Sequence, residues 1–210
     1  MRRSVSLVTG PAADPVTLGE IKTYAKIDGN DEDALLAAYI TASTEFTEKY
    51  LKRSLITQTR KLTLDLEMTG SYKNLQAGVY EIPLSVFYSG PGKVIELPYG
   101  PVQSVSSIVT YDTSNNSSTF ASSNYTVDTA GGRVFLNDTA VWPSPLRQFA
   151  AIEITYVAGY GDTSSSIPQP IKTGIQMHVQ RMYDARIICD LPDECRTLMN
   201  AYRIVDGLAS

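Results

Sequence analysis

Apolar residues in this chain change their spacing twice. From Pro15 to Arg53 they recur three and four apart; from Thr59 to Val157 they mostly alternate; from Ile171 onward the helical spacing returns. Two helical stretches separated by a β stretch constrain the fold strongly. The outer stretches must bury their apolar stripes against each other, and the β stretch must find a second layer of its own. The expected class is therefore α+β, a small helical bundle from the N- and C-terminal segments with an inserted antiparallel β-domain. We expect a single domain over residues 1–210. Its helical part covers 15–55 and 167–205, and its β insertion covers 56–162 with an elaboration at 67–93. Residues 1–14 and 191–210 are expected to order only on assembly.

The first helix starts after Thr17, because Glu20 stands three residues on and completes a capping box. Leu18, Ile21, Tyr24 and Ala25 share a face, and Asp28-Gly29-Asn30 is expected to end it. The second helix is expected over 31–53. Asp31, Glu32 and Asp33 lie at its start and Lys49, Lys52 and Arg53 at its end, as the helix dipole favours. Its expected buried face is Leu35, Ala38, Tyr39, Ala42, Phe46 and Tyr50.

The β stretch reads as strands over 59–66, 94–97 and 102–111, a hairpin of 125–128 with 133–136, and a strand over 151–157. Asn115 to Ser118 reads as a polar tip. Pro168 and Pro170 open the third helix, with Ile171, Ile175, His178, Val179 and Met182 on one face. A short last helix follows Pro192, carrying Leu198, Met199 and Tyr202.

Composition narrows the function classes. The net charge is −4, from 18 basic and 22 acidic residues, which argues against a protein that coats nucleic acid. Residues 1–66 hold 9 of each sign, 67–165 hold 4 basic and 8 acidic, and 166–210 hold 5 of each, so the excess lies in the middle. No apolar run approaches the roughly 20 residues of a membrane span. Val5 to Val8 is too short for a signal-peptide core, so a cytoplasmic origin is expected. Cys189 and Cys195 make no disulfide framework.

Catalytic patterns are missing. His178 is the only histidine, lies on an apolar helix face, and reads as a core or interface residue. Gly90-Pro91-Gly92-Lys93 fails as a phosphate loop, because Phe87 replaces the first glycine and Val94 the serine or threonine. Two cysteines and one histidine do not make a zinc site. Paired acids in the β stretch leave a glycosidase-like arrangement open, though nothing selects a pair. The expectation is no enzyme, no cofactor and no metal. Thirteen tyrosines against one tryptophan point to interfaces, and Tyr72, Tyr80, Tyr88 and Tyr99 fall where the pattern looks least like core.

Several stretches, in order, resemble the head–tail connector (adaptor) proteins of tailed phages. They are Pro15-Val16-Thr17-Leu18-Gly19-Glu20-Ile21-Lys22, Ile27-Asp28-Gly29, Asp31-Glu32-Asp33-Ala34-Leu35-Leu36 and Arg53-Ser54-Leu55-Ile56-Thr57-Gln58-Thr59. Ile95-Glu96-Leu97-Pro98, Pro101-Val102-Gln103-Ser104-Val105, Val157-Ala158-Gly159-Tyr160-Gly161-Asp162 and Ile167-Pro168-Gln169-Pro170-Ile171-Lys172 continue the series. The resemblance implies a non-enzymatic virion protein of the neck. It would form an adaptor ring, expected to be a dodecamer, between the portal protein and the stopper or tail-completion protein. DNA would pass through the lumen without sequence-specific binding, and no membrane would be involved. The family's C-terminal segment reaches the portal. By position that implies Arg186, Arg196, Leu198, Met199, Tyr202 and Arg203 as portal contacts, and deletion after Asp190 is expected to spare the fold. Tyr72, Tyr80, Tyr88 and Tyr99 are the expected subunit or tail contacts. The alternatives are a stopper or tail-completion protein and, more remotely, a β-rich carbohydrate- or protein-binding module.

Overall fold

A computed structural model of the chain describes residues 3–66 and 92–204. The strands are β1 (Arg3–Thr9), β2 (Gln58–Leu64), β3 (Val94–Glu96), β4 (Val102–Tyr111), β5 (Ser117–Thr119), β6 (Tyr125–Asp128), β7 (Arg133–Leu136) and β8 (Ile152–Ala158). The helices are α1 (Leu18–Ala25), α2 (Asp33–Leu51), α3 (Gln169–Ala185) and α4 (Asp193–Met199). The class is α+β, as the change of period implies. The chain divides into two compact units. A helical unit holds 9–58, 98–101 and 158–204, and a β unit holds 3–8, 59–66, 92–97 and 102–157.

In the helical unit, α1 begins with the expected capping box. Glu20 N donates to Thr17 Oγ1 at 3.2 Å, and Thr17 N donates to Glu20 Oε2 at 2.7 Å. The helix stops earlier than the sequence reading has it. Lys26 adopts a left-handed backbone with φ 54°, and its N–H closes on the Lys22 carbonyl. The Gly29-Asn30 turn instead receives the Lys22 ammonium, at 2.8 Å from the Gly29 carbonyl and 2.7 Å from Asn30 Oδ1.

The buried face of α2 also differs from the expected one. Leu36, Tyr39, Ile40, Ser43, Thr47 and Leu51 are buried, while Ala38 is exposed and Leu35, Ala42, Phe46 and Tyr50 flank the stripe half-buried. The reason is chemical: Ser43 and Thr47 occupy core positions, so an apolar count misplaces the stripe by about a residue. On α3 the expected face is the buried one, from Ile171 through Met182. Leu191, Cys195 and Met199 complete the same core from the C-terminal side.

The β unit contains two sheets. One has five strands in the order β1-β2-β8-β4-β5, and the other has three in the order β3-β7-β6. The expected hairpin pairs Tyr125 with Leu136 and Asp128 with Arg133 in antiparallel register. The polar tip is a tight turn followed by β5. Asp112 accepts from Ser114 N at 2.8 Å and from Asn116 N at 2.9 Å, and β5 then pairs antiparallel with β4, Tyr111 opposite Ser117. Strand β8 alternates as its sequence does, with Ile152, Ile154 and Tyr156 fully buried. The sequence reading has no strand at β1, a short segment that buries almost nothing.

Candidate assembly surface

The C-terminal third of the helical unit carries the residues expected to meet a partner, and its geometry follows from how α3 ends. Arg186 takes a left-handed conformation (φ 56°) and turns the chain away from the helix. Its Nη1 donates to Glu32 Oε1 at 2.6 Å, its guanidinium lies 4.6 Å from the centroid of the Tyr183 ring, and the Tyr183 hydroxyl donates to Glu32 Oε2. The start of α2 is thereby tied to the end of α3, with an anion and a cation each at the helix end its charge suits. The Arg186 bond, reinforced by Tyr183, holds the Glu32 carboxyl below the usual carboxylate range, and the same carboxylate raises the Tyr183 phenol.

Ile187 and Ile188 follow, 58% and 63% exposed. This apolar pair did not enter the sequence reading, because it lies in a turn without periodicity. The chain then returns to the core. His178 Nε2 meets the Cys189 carbonyl at 3.0 Å and His178 Nδ1 meets Ser43 Oγ at 3.0 Å, so the one imidazole ties α3 to α2 and to the turn. A carbonyl can only accept, so Nε2 carries the proton and Nδ1 accepts from Ser43. Burial holds this imidazole below its ordinary pKa. His178 is thus a satisfied core histidine, as its position on an apolar face suggested.

Each expected portal residue has a definite place. Arg196 on α4 pairs with Asp190 at 2.6 Å. Leu198 is 38% exposed. Met199 is fully buried, and a Cβ added at Gly174 would meet its sulfur at 2.7 Å, so it holds α4 onto α3 rather than facing a partner. The Tyr202 carbonyl accepts from Arg53 Nε at 2.5 Å, and Arg203 lies 4.9 Å from the centre of the Tyr50 ring. Ile204 N donates to the Leu51 carbonyl at 3.0 Å. Residues 191–204, assigned by sequence to order on assembly, are docked here on the helical unit. Deletion after Asp190 would remove three core residues, Leu191, Cys195 and Met199, so the expectation that it spares the fold is withdrawn.

Two shallow open grooves flank Met177 on the outer face of α3. One of about 590 Å³ is lined by Tyr24, Gln180, Arg181 and Asp184, and one of about 570 Å³ by Asp193, Glu194, Thr197 and Leu198. Among the described residues no cluster of three His, Cys, Asp or Glu could hold a metal. Tyr99 belongs to this unit, where its carbonyl accepts from Ser54 N at 3.1 Å and its ring is half-buried. Tyr72, Tyr80 and Tyr88 lie outside the described residues.

In the β unit, the acidic excess of the middle segment is offset by cations from elsewhere in the sequence. Arg3 pairs with Glu96 at 3.6 Å and Lys61 with Glu153 at 3.2 Å, alongside the local Arg133–Asp128 pair at 3.0 Å. Charge counted by segment therefore overstates how acidic the folded unit is.

Solved structures of phage-like particles share this fold. A chain in the neck of the empty gene transfer agent (GTA) particle, computed with C6 symmetry, superposes with a TM-score of 0.71 at 18% identity, covering 99% of this chain and 98% of that one. A chain in the neck of the native GTA particle, computed with C12 symmetry, gives 0.69 at 19% identity, covering 99% and 98%. A chain of the native GTA virion gives 0.71 at 18% identity, with 98% of each chain covered. No curated protein matches. The family described as "Phage gp6-like head-tail connector protein" matches residues 15–135, more than half of the 210 residues, and the chain belongs to it. It is a structural protein of the head–tail connector. No helix among the described residues is long and apolar enough to cross a membrane.

Proposed function

We propose that this connector protein is the adaptor ring of the neck, bound on one side to the portal protein and on the other to the stopper or tail-completion protein. The observation that carries this reading is the family match over 15–135, which spans α1, α2 and much of the β unit. The C6 and C12 symmetries of the particle necks with this fold support a ring, and twelve copies fit the C12 case. Portal contact falls to the exposed members of the C-terminal set, Arg186, Leu198 and Arg203, together with Ile187 and Ile188. DNA passes through the lumen of this ring without base readout, in keeping with a net charge of −4. The role is architectural and needs no catalytic group.

The test is co-sedimentation with the portal protein of the same phage, read by native mass. A complex holding a closed ring of this chain on the portal is the expected result. Binding to tail components but not to an intact portal would make the protein a stopper. Truncation is a poor probe, because the C-terminal segment is part of the core; Leu198 is the better position to change.

A further inference from the structure

The five-stranded sheet ends in two strands of unusual exposure. Among the described residues, β1 has one strand neighbour, β2, and β5 has one, β4, and they lie at opposite ends of the same sheet. Six of the seven β1 residues are exposed and Val5 is half-buried; all three residues of β5 are exposed. An edge strand presents unpaired N–H and C=O groups along one side, and proteins commonly protect such edges by keeping them very short, as the three-residue β5 is, or with lysine, proline, bulges or a covering element. Neither edge has lysine or proline: β1 runs Arg3-Ser4-Val5-Ser6-Leu7-Val8-Thr9 and β5 runs Ser117-Ser118-Thr119. The one charge, Arg3, is already paired with Glu96, so bringing the edges together opposes no like charges.

Both ends also carry exposed apolar side chains. Leu7 and Val8 on β1 are 53% and 54% exposed. At the other end Trp142 stacks on Phe120, the residue after β5, with centroids 4.8 Å apart, and its chain neighbour Val141 is 78% exposed. The β5 edge is preorganised, since Asp112 ties its turn and Phe120 N donates to the Ile108 carbonyl at 2.8 Å.

We infer that the occupant of the β1 edge is the β5 edge of a second copy of this chain, so that the sheet continues from subunit to subunit. A closed ring requires two different patches on each copy, and two sheet edges with no further strand neighbour among the described residues supply such a pair. Main-chain hydrogen bonds would give the contact its register, and Leu7 and Val8, on opposite faces of β1, would each flank the incoming strand. This inference rests on the ring reading above and adds how the ring closes.

The experiment assembles the full chain on the intact portal protein and reads native mass and amide hydrogen exchange. In wild-type rings, amides of β1 and of β5 should both exchange about tenfold or more slowly than in the free subunit. The double variant Leu7→Lys/Val8→Lys changes exposed side chains only. It should keep the wild-type circular dichroism and melting but give no closed ring. A closed ring of unchanged mass from the double variant overturns the inference and gives the edge to a tail protein. Slowing at β1 without slowing at β5 overturns it as well, because another segment then fills the edge. No ring from the wild-type chain on an intact portal removes the adaptor reading itself, and this inference with it.

Discussion

His178 joins three pieces of chain through two hydrogen bonds, and its protonation state follows from them. It is fully buried, with Ser43 on one side and the Cys189 carbonyl on the other, and the Phe46 ring packs edge-on at 5.7 Å. Asp190 favours the charged form and Arg181 opposes it, but burial dominates and lowers the pKa. An imidazole with a lowered folded pKa stabilises the fold fully above its unfolded value, near 6.5, and that stability is lost as pH falls through the folded value. Denaturation midpoints should therefore drop as pH falls below about 6.5, a fall that His178→Gln should largely remove. A wild-type midpoint that holds steady across this range would contradict the buried neutral imidazole. Met199 gives a second prediction at this scale. Met199→Ala empties the site beside Gly174 and should cost about 2–5 kcal/mol, measured by chemical denaturation.

Among the described α-helices, α1 is the one closed by a side-chain cap at its N-terminus. Burial pushes the Glu20 carboxyl up, but Lys172 at 2.5 Å and the Thr17 backbone and hydroxyl together outweigh it, so the carboxyl ends below its usual pKa. Thr17→Ala removes one half of the capping box and should destabilise the protein by about 1 kcal/mol. Combined with Glu20→Ala the effects should fall short of additive, because the two side chains serve each other across the same turn. Additive losses would show that the box does not act as a unit. The cap was legible from Thr17 and Glu20 alone, since it depends on residues three apart. The buried face of α2 was not, because Ser43 and Thr47 are buried only through the elements that pack on them, His178 among these. Strand β1 was illegible for a related reason: it buries almost nothing, and periodicity reports burial.

For the whole molecule, neighbouring residues on α4 separate folding from assembly. Leu198 faces outward and Met199 inward. Leu198→Asp should leave the melting temperature within about a degree or two, as surface changes do, while weakening portal binding in the co-sedimentation assay. Met199→Asp should instead unfold the helical unit by burying a charge. Equal loss of stability in both variants would place Leu198 in the core and count against an assembly role.

What the sequence determined by itself was the class of fold and the family, because both rest on local pattern: two helical periods around an alternating one, a capping box, and ordered motifs from Pro15 to Lys172. His178 on an apolar face belongs with these, since its spacing already placed it inside. Only the tertiary structure decided which C-terminal residues face outward, because Met199 and Leu198 differ in nothing local except the side of a short helix. The docking of 191–204 and the neutralisation of Glu96 and Glu153 by Arg3 and Lys61 were likewise beyond the sequence. Each depends on residues far apart in the chain, and no local spacing records which distant partners the fold brings together.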